Sequence, residues 1–190
     1  MDLEVAKKIV KEKLTNDRYE HTLRVCDTAV ELAEIYKEDK EKIALASIFH
    51  DYAKCMSKDE LKQWVKDFNL PNELLNYHHE LWHGPVGAEL VKRKYHMTDE
   101  NIINAIRFHT TGRAQMNKFE LIVFISDYIE PGRSFPGIED VRKLAKENLE
   151  SAAHQALKNT IHYLLDKNAL IYPDTINAYN DLTKKGVVKR

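Results

Sequence analysis

Apolar residues recur along this chain at the three- and four-residue spacing of an amphipathic helix, and strand-like alternation is hard to find. Ile102, Ile103 and Ile106 fall on one helical face in this way. Ser57, followed three residues later by Glu60, matches a capping box ahead of an apolar run and therefore predicts a helix start. The pattern predicts helices near residues 2–14, 17–37, 40–53, 57–68, 72–80, 85–95, 98–110, 118–130, 138–166 and 174–184.

Breaks in this helical pattern are few, because the 190 residues include only 6 glycines and 5 prolines. The clearest breaks are at Gly112, at Pro131-Gly132 and at Pro136-Gly137. The chain has no internal repeat, low-complexity tract or linker, and its length suits one domain. We therefore predict an all-α fold, a single compact helical bundle over residues 1–190.

Charge and composition exclude several classes of partner. The 29 basic and 30 acidic residues are interspersed and give a formal net charge of -1, so neither nucleic acid nor membrane is expected as the main partner. No apolar run approaches the ~20 residues of a membrane span. The N-terminal stretch MDLEVAKKIVKEKL has no apolar centre like that of a signal peptide, and Cys26 and Cys55 lack C-x-x-C spacing. We expect a cytoplasmic protein with two reduced thiols.

The segment HHELWHGPVGAEL contains the H-E-x-x-H spacing of zinc metalloproteases, from His79 to His83. Proline is tolerated in the first turn of a helix but not within one, so a new helix is expected to start near Pro85. His83 would then lie at a break and need not share a face with His79. The position of a third metzincin histidine holds Glu89. These features disfavour a protease.

A different set of polar residues occupies inward positions on several predicted helices. His50-Asp51 closes one helix, whereas His21, His109 and Asp127 continue the apolar faces of three others. Each histidine alone is more commonly an ordinary core residue, and Asp127 is equally explained by a buried salt bridge or a cap. An aspartate on an apolar face is costly unless paired or bound to metal. Together the residues indicate one shared polar centre, best explained by metal.

Six candidate ligands follow an order that resembles the HD-domain superfamily of metal-dependent phosphohydrolases in its two-metal form: His21, His50, Asp51, His83, His109 and Asp127. The local contexts RYEHTLRV, HDYAK, HGPVGA, FHTTG and DYIEPGR look like one branch, the YqeK-type symmetrical bis(5′-nucleosyl)-tetraphosphatases. The resemblance covers most of the chain. It implies a single HD domain, with a metal-binding core at about 17–130 and C-terminal helices 138–185 packed on that core. It also makes His83 a ligand and His79 a bystander.

The resemblance further implies how the ligands would be shared between two metal ions. His21, His50, Asp51 and Asp127 would hold one ion, and His83 and His109 the second, with Asp51 bridging. Mixed nitrogen and oxygen ligands without thiolate suit iron, manganese or zinc, and the family resemblance points to iron. Two ions about 3.5–4 Å apart serve in-line displacement at phosphorus. A metal-activated hydroxide would be the nucleophile, and Asp51 and Lys54 are the predicted catalytic residues.

Cations outside the ligand set are candidates for binding phosphate. Lys54 lies one turn past His50, and Arg18 precedes His21 by three residues, although most basic residues simply solvate a surface. The predicted nucleotide and phosphate contacts are Lys54, Thr110, Thr111, Gly112, Arg133, Arg18 and Tyr172. The family pattern usually has an arginine where this chain has Tyr179, so no phosphate role is assigned there. Segment 138–166 and the histidines His78, His79, His96, His154 and His162 are assigned to packing or surface only.

These inferences predict a hydrolase that cleaves diadenosine tetraphosphate, or a related dinucleoside polyphosphate, symmetrically to ADP. Three alternatives stay open: an HD-domain nucleotidase acting on mononucleotides, a di-iron HD oxygenase, and a nucleotide-binding module without turnover. The intact ligand set weighs against the last of these. The expected partner is a nucleotide rather than nucleic acid or membrane, and a homodimer is the candidate assembly.

Overall fold

The computed structural model describes residues 1–186, which form α-helices and two short 3₁₀ helices but no strand, so the predicted all-α class is confirmed. The helices are α1 (Leu3–Lys11), α2 (Asn16–Tyr36), α3 (Lys40–Phe49), α4 (Lys58–Asp67), α5 (His83–Lys94), α6 (Glu100–Phe108), α7 (Lys118–Ile129), α8 (Ile138–Glu147), α9 (Leu149–Asp166) and α10 (Pro173–Lys184). None of these helices is both long and apolar enough to cross a membrane.

Polar side chains start most of the helices. Thr15, Asp39 and Asp99 each accept a hydrogen bond from a backbone N–H in the first turn of the helix that follows. Both hydrogen bonds of the predicted capping box between Ser57 and Glu60 are present at the start of α4. Local sequence therefore determines where these helices begin.

Two predicted helices are wrong, and the helix predicted over 40–53 ends earlier, at Phe49. Residues 72–80 form two 3₁₀ pieces, Asn72–Asn76 and His79–Leu81, instead of an α-helix. The helix predicted over 138–166 is divided at Asn148, whose extended backbone (φ -154, ψ 109) lets its side chain cap α9. Helix α5 begins at His83 because Pro85, two residues later, is still within the first turn, where proline is tolerated.

Helix α7 lies at the centre of the bundle and packs against α2, α6, α8 and α9. Every residue from Phe119 to Ser126 is buried, so this part of α7 is enclosed on all sides; Glu120 and Ser126 are its polar members. A smaller apolar cluster forms around Trp82, whose indole N–H donates to the carbonyl of Leu74 over 2.9 Å. That cluster supports the chain immediately before His83.

Candidate metal centre

The six candidate ligands surround one buried point where α2, α3, α5, α6 and α7 meet. His21 and Asp127 lie within α2 and α7, His83 is the first residue of α5, and Asp51 follows α3. Two sets of three residues bring their ligand atoms within 4.8 Å of one another: His21, His50 and Asp127, and His50, Asp51 and His109. His83 is in neither set, but its Nε2 lies 3.0 Å from Asp51 Oδ1, so the structure brings all six residues together.

Helix ends orient three of the four histidines. His50 and His109 are the C-caps of α3 and α6, and in each the ring Nδ1 faces a backbone carbonyl three residues earlier. The distances from Nδ1 to the carbonyl oxygen are 2.6 Å for His50 and Ser47, 2.7 Å for His109 and Ile106, and 2.6 Å for His83 and Glu80. A carbonyl only accepts, so each Nδ1 carries the hydrogen. The Nε2 lone pairs are left to face the centre.

These lone pairs meet in a way that fits a bound cation. The Nε2 atoms of His83 and His109 are 3.0 Å apart. Those of His21 and His50 are buried and lie 3.1 Å from Asp127 Oδ1 and 3.3 Å from Asp51 Oδ2, but neither makes a well-directed hydrogen bond among the described residues. Burial lowers the pKa of His83 to about 4, so this ring is neutral near pH 7. Lone pairs directed at each other repel unless a cation lies between them, and buried polar atoms rarely lack a partner. The donors therefore fit a metal ion.

The two carboxylate oxygens of Asp51 face different pairs of histidines. Its Oδ1 lies 3.0 Å from His83 Nε2 and 3.7 Å from His109 Nε2. Its Oδ2 lies 3.3 Å from His50 Nε2 and 3.7 Å from His21 Nε2. Burial opposes ionisation of Asp51, but the surrounding imidazoles hold its pKa well below the usual range. Asp51 is therefore an anionic carboxylate between two histidine pairs, which is the placement that a bridging ligand requires.

Two of the predicted phosphate contacts lie against the carboxylates of the centre. Arg18 Nη1 donates to Asp51 Oδ2 over 2.9 Å, and Arg133 Nη2 donates to Asp127 Oδ1 over 2.8 Å. Both arginines line an open cavity of about 290 Å³. Lys54 instead forms an ion pair with Glu80 and is not among the residues that line this cavity.

The remaining predicted nucleotide contacts are divided between the site and the interior. Thr110 lies beside the centre, with its hydroxyl 3.2 Å from His109 Nε2. Thr111 is buried and donates to the carbonyl of Gly112 over 2.9 Å. Tyr172 contacts Tyr77 edge-on, with ring centroids 5.0 Å apart, at the smaller apolar cluster. Of these four residues, Thr110 alone lines the larger of two cavities beside the centre.

A larger cavity of about 700 Å³ opens from the same centre. His109, Asp127 and Arg133 form its inner end, and its volume is in the range of small-molecule binding sites. Its other walls are Thr110, Phe124, Tyr128, Phe135, Pro136, Leu157, Asn159, Thr160, His162, Tyr163 and Asp166. Residues of segment 138–166, among them His162, therefore line a cavity as well as having the packing or surface positions predicted for them. The polar run Asn-Thr-Ile-His-Tyr after the alanines of α9 was the available signal.

Sequence reasoning also missed the carboxylate that contacts His21. Glu130 Oε1 lies 3.1 Å from His21 Nδ1, while its Oε2 accepts from Arg24 Nε and from the backbone N–H of Gly132, each over 2.6 Å. Burial would raise the pKa of Glu130, but the hydrogen bond from Arg24 holds it below its ordinary value. The available signal was an acidic residue directly before Pro131 at the end of a buried helix.

His79 and His83 occupy different environments despite their H-E-x-x-H spacing. The side chain of His79 is 39% exposed and lies in the short 3₁₀ helix, whereas that of His83 is 3% exposed and faces Asp51. The helix that would place both imidazoles on one face is therefore missing from this segment. The spacing does not create a zinc-protease site.

Comparisons with known proteins give a consistent result. The HD-domain family model matches residues 18–132. A Bacillus subtilis protein named "Bis(5'-nucleosyl)-tetraphosphatase, symmetrical" is 48% identical over 180 residues, which is 95% of this chain and 97% of that protein. A Staphylococcus aureus protein of the same name is 43% identical over 182 residues, covering 95% of this chain and 94% of the relative.

A solved structure extends the similarity to the fold. The crystal structure of a Clostridium acetobutylicum protein, described as a "predicted HD superfamily hydrolase involved in NAD metabolism", has a TM-score of 0.92 and 38% identity. The match covers 97% of this chain and 98% of that chain. The similarity therefore includes the C-terminal helices that lie beyond the matched HD segment.

Proposed function

This chain belongs to the HD-domain family, and we propose that it is a hydrolase that cleaves diadenosine tetraphosphate, or a related dinucleoside polyphosphate, symmetrically. The family resemblance predicted from the motifs is confirmed. Relatives that are 43% and 48% identical over most of the chain carry the name of this activity. The proposed products are two molecules of ADP.

The position of Asp51 is the observation that carries this proposal. We assign His21, His50, Asp51 and Asp127 to one ion and His83 and His109 to a second, with Asp51 bridging. The separate contacts of the two Asp51 oxygens with the two histidine pairs support this division. When bound, the ions would supply Lewis acidity to the phosphate oxygens and lower the pKa of the attacking water. We propose iron, because of the family resemblance, although manganese and zinc also suit these ligands.

The arginines beside the centre would bind the polyphosphate. Arg133 lines both cavities, so a phosphate chain that runs between them would pass its guanidinium. Guanidinium groups bind phosphate oxygens in bidentate fashion, which would orient the chain for attack at a central phosphorus. Arg18 would contribute on the side of the smaller cavity. Both arginines would exchange part of their hydrogen bonding to Asp51 and Asp127 for the substrate.

One nucleoside would occupy the larger cavity. Its aromatic walls, which include Tyr128 and Phe135, offer faces for a base, while Thr110 offers a hydroxyl near the first phosphates. Lys54 stays a predicted phosphate contact, and to act it would have to release Glu80. Thr111, Gly112 and Tyr172 also stay predictions.

Chromatography of the products tests the function directly. Iron-loaded protein incubated with diadenosine tetraphosphate should yield ADP alone. AMP plus ATP would contradict symmetrical cleavage, and no turnover would overturn the proposed hydrolase. Parallel reactions without oxygen and with mononucleotides test the two enzymatic alternatives, because symmetrical hydrolysis needs no oxygen and should be faster with the dinucleotide.

Three narrower proposals need separate measurements. Metal analysis of protein purified without chelator should find iron, and two ions per chain. Sedimentation should find a homodimer. Fractionation of the source cells should find the protein in the cytoplasm.

A further inference from the structure

His21 differs from the other three histidines of the centre in the group that holds its Nδ1. His50, His83 and His109 each use a backbone carbonyl, whereas His21 uses the side-chain carboxylate of Glu130 at 3.1 Å. Glu130 is only 2% exposed. A buried carboxylate is costly unless its oxygens are paired, so its presence beside His21 requires an explanation.

Two donors hold the other oxygen of this carboxylate. Arg24 Nε and the Gly132 backbone N–H each lie 2.6 Å from Glu130 Oε2. A Cβ atom at position 132 would lie 2.6 Å from Arg24 Nη2 and 2.8 Å from Arg24 Nε. The missing side chain at Gly132 therefore lets the guanidinium lie flat against the backbone, where it can reach Glu130.

We propose that Glu130 is a positioning residue that holds His21 as the Nδ1–H tautomer and directs its Nε2 lone pair at the centre, with Arg24 and Gly132 fixing Glu130 in turn. A carboxylate partner also makes an imidazole a stronger donor than a carbonyl partner does. The ion bound by His21 is therefore held more tightly than it would be without Glu130. This inference rests on the proposed role of His21 as a metal ligand.

The substitution Glu130→Gln tests the tautomer, because glutamine has only one carbonyl oxygen. Arg24 and Gly132 supply two donors at Oε2, whereas a single nitrogen of His21 faces Oε1, so the amide oxygen should take the place of Oε2. The NH₂ group would then face His21 Nδ1 and require that nitrogen to accept. A neutral His21 would carry its hydrogen on Nε2, where it blocks a metal.

The first readout is the nitrogen spectrum of the histidine rings in metal-free protein, because the ¹⁵N shifts distinguish the two tautomers. The wild type should show a hydrogen on His21 Nδ1, whereas Glu130→Gln should lose that hydrogen and keep one on Nε2, which lies 3.1 Å from Asp127 Oδ1. The second readout is metal affinity, measured with Mn²⁺ against a competing chelator. Glu130→Gln should lower the affinity for one of the two ions by about 10–100-fold, which is the usual effect of losing a group that orients a metal ligand.

Glu120→Gln is the matched control. Glu120 is also 2% exposed, lies in α7, the helix that Glu130 caps, and accepts two hydrogen bonds from Arg113 of 2.7 and 2.6 Å. None of its hydrogen bonds involves a candidate ligand. Its substitution should leave the His21 tautomer and both metal affinities unchanged. An equal loss of affinity in the two variants would reduce Glu130 to a structural ion pair and overturn the inference.

Gly132→Ala perturbs the same chain of contacts while leaving the carboxylate in place. The added methyl should displace the flexible end of Arg24 and weaken metal binding less than Glu130→Gln does. If Glu130→Gln does not fold, unchanged affinity in Gly132→Ala overturns the inference. Wild-type protein that binds no Mn²⁺ would instead contradict the proposed metal site. Wild-type binding that Glu130→Gln leaves unchanged, with the Nδ1–H tautomer retained, would overturn the inference alone.

Discussion

At the scale of single residues, the centre depends on which nitrogen of each imidazole carries the hydrogen. Backbone carbonyls hold the hydrogen on Nδ1 in His50, His83 and His109, so three Nε2 lone pairs converge without any charged partner behind them. Asp51 then supplies the negative charge that both histidine pairs share. Neutral imidazoles together with the carboxylates of Asp51 and Asp127 suit divalent transition-metal ions, because the carboxylates offset part of the positive charge in a buried site.

Asp51→Ala should abolish both metal binding and turnover. Its two oxygens face both histidine pairs, so its removal takes the shared ligand from each ion. Metal analysis and product chromatography on the same preparation measure the two losses. His79→Ala is the control, since His79 is 39% exposed and should change neither quantity. A variant lacking Asp51 that still retained two ions would contradict the bridging role.

The contribution of His83 to the stability of metal-free protein should fall as the pH is lowered from about 6.5 towards 4. Burial lowers the pKa of His83 from 6.5 to about 4, so below the higher value the unfolded chain binds a proton that the folded chain does not. The folded state is therefore not penalised by His83 above pH 6.5, the pKa of this histidine in the unfolded chain, and it becomes less stable as the pH falls towards 4. By about pH 5 the loss is on the order of 2 kcal/mol.

Urea denaturation near pH 7 and pH 5 measures this effect, with His83→Gln as the comparison. Glutamine does not titrate, so the variant should lose less stability between the two conditions than the wild type. Burial alone would lower the pKa of His50, but Asp51 raises it above its ordinary value. The raised pKa of His50 makes both proteins more stable at lower pH, so it offsets part of the loss equally in the wild type and in the variant. An identical pH dependence in the two proteins would contradict the depressed pKa of His83.

At the scale of helices, the ends of helices supply at least as many candidate ligands as their buried faces do. The last turns of α3 and α6 have carbonyls without intrahelical partners, and the capping histidines use them to orient their rings. Helix α5 brings its first residue, His83, to the same point. The distance between His83 and His109 is therefore set by how closely α5 and α6 pack.

Gly84→Ala should disturb that packing. A Cβ at residue 84 would lie 2.8 Å from the backbone oxygen of Arg107, which cannot move as a side chain could. The substitution should destabilise the protein by about 1–3 kcal/mol, partly offset by the better helix propensity of alanine. It should also weaken metal binding, because it separates His83 from His109. Urea denaturation and chelator competition measure the two effects.

Gly87→Ala provides the comparison within the same helix. Its added Cβ would meet Ala53 at 3.7 Å, an ordinary contact distance, so stability and metal affinity should be kept or slightly improved. Equal behaviour of the two alanine variants would show that the approach of α5 to α6 does not determine the geometry of the centre.

At the scale of the whole molecule, metal binding should be coupled to folding. The ligands come from five regions between residues 21 and 127, so an ion bound to all of them ties the bundle together in the folded state only. At a free metal concentration of about 1,000 times Kd, the stabilisation is about 4 kcal/mol. For a chain of this size that should raise Tm by about 10 °C.

Thermal melting of metal-loaded and chelator-treated protein measures this shift. The melting temperature should rise with metal and fall again when chelator is added in excess. Asp51→Ala should melt at one temperature under both conditions, which separates specific binding from general effects of the metal. Coincident melting curves for the wild type would contradict a metal site in the bundle.

The sequence by itself determined the all-α class, most helix starts and the six candidate ligands. Helical periodicity and capping are local properties, so Ser57, Glu60 and the inward face of α2 can be recognised from neighbouring residues alone. The division at Asn148 was missed because an asparagine within a continuous apolar stripe is compatible with either one helix or two. The motifs DYIEPGR and HGPVGA identified the family without giving a single distance.

Only the tertiary structure decided what surrounds those ligands. The separate contacts of the two Asp51 oxygens, the Glu130 carboxylate behind His21 and the cavity wall from α9 all join residues far apart in the chain. Periodicity reports which face of a helix is buried. It does not report the angle and distance at which two helices pack, because those depend on side chains from both. Chemistry that depends on a few tenths of an ångström between helices is therefore visible only once the bundle is assembled.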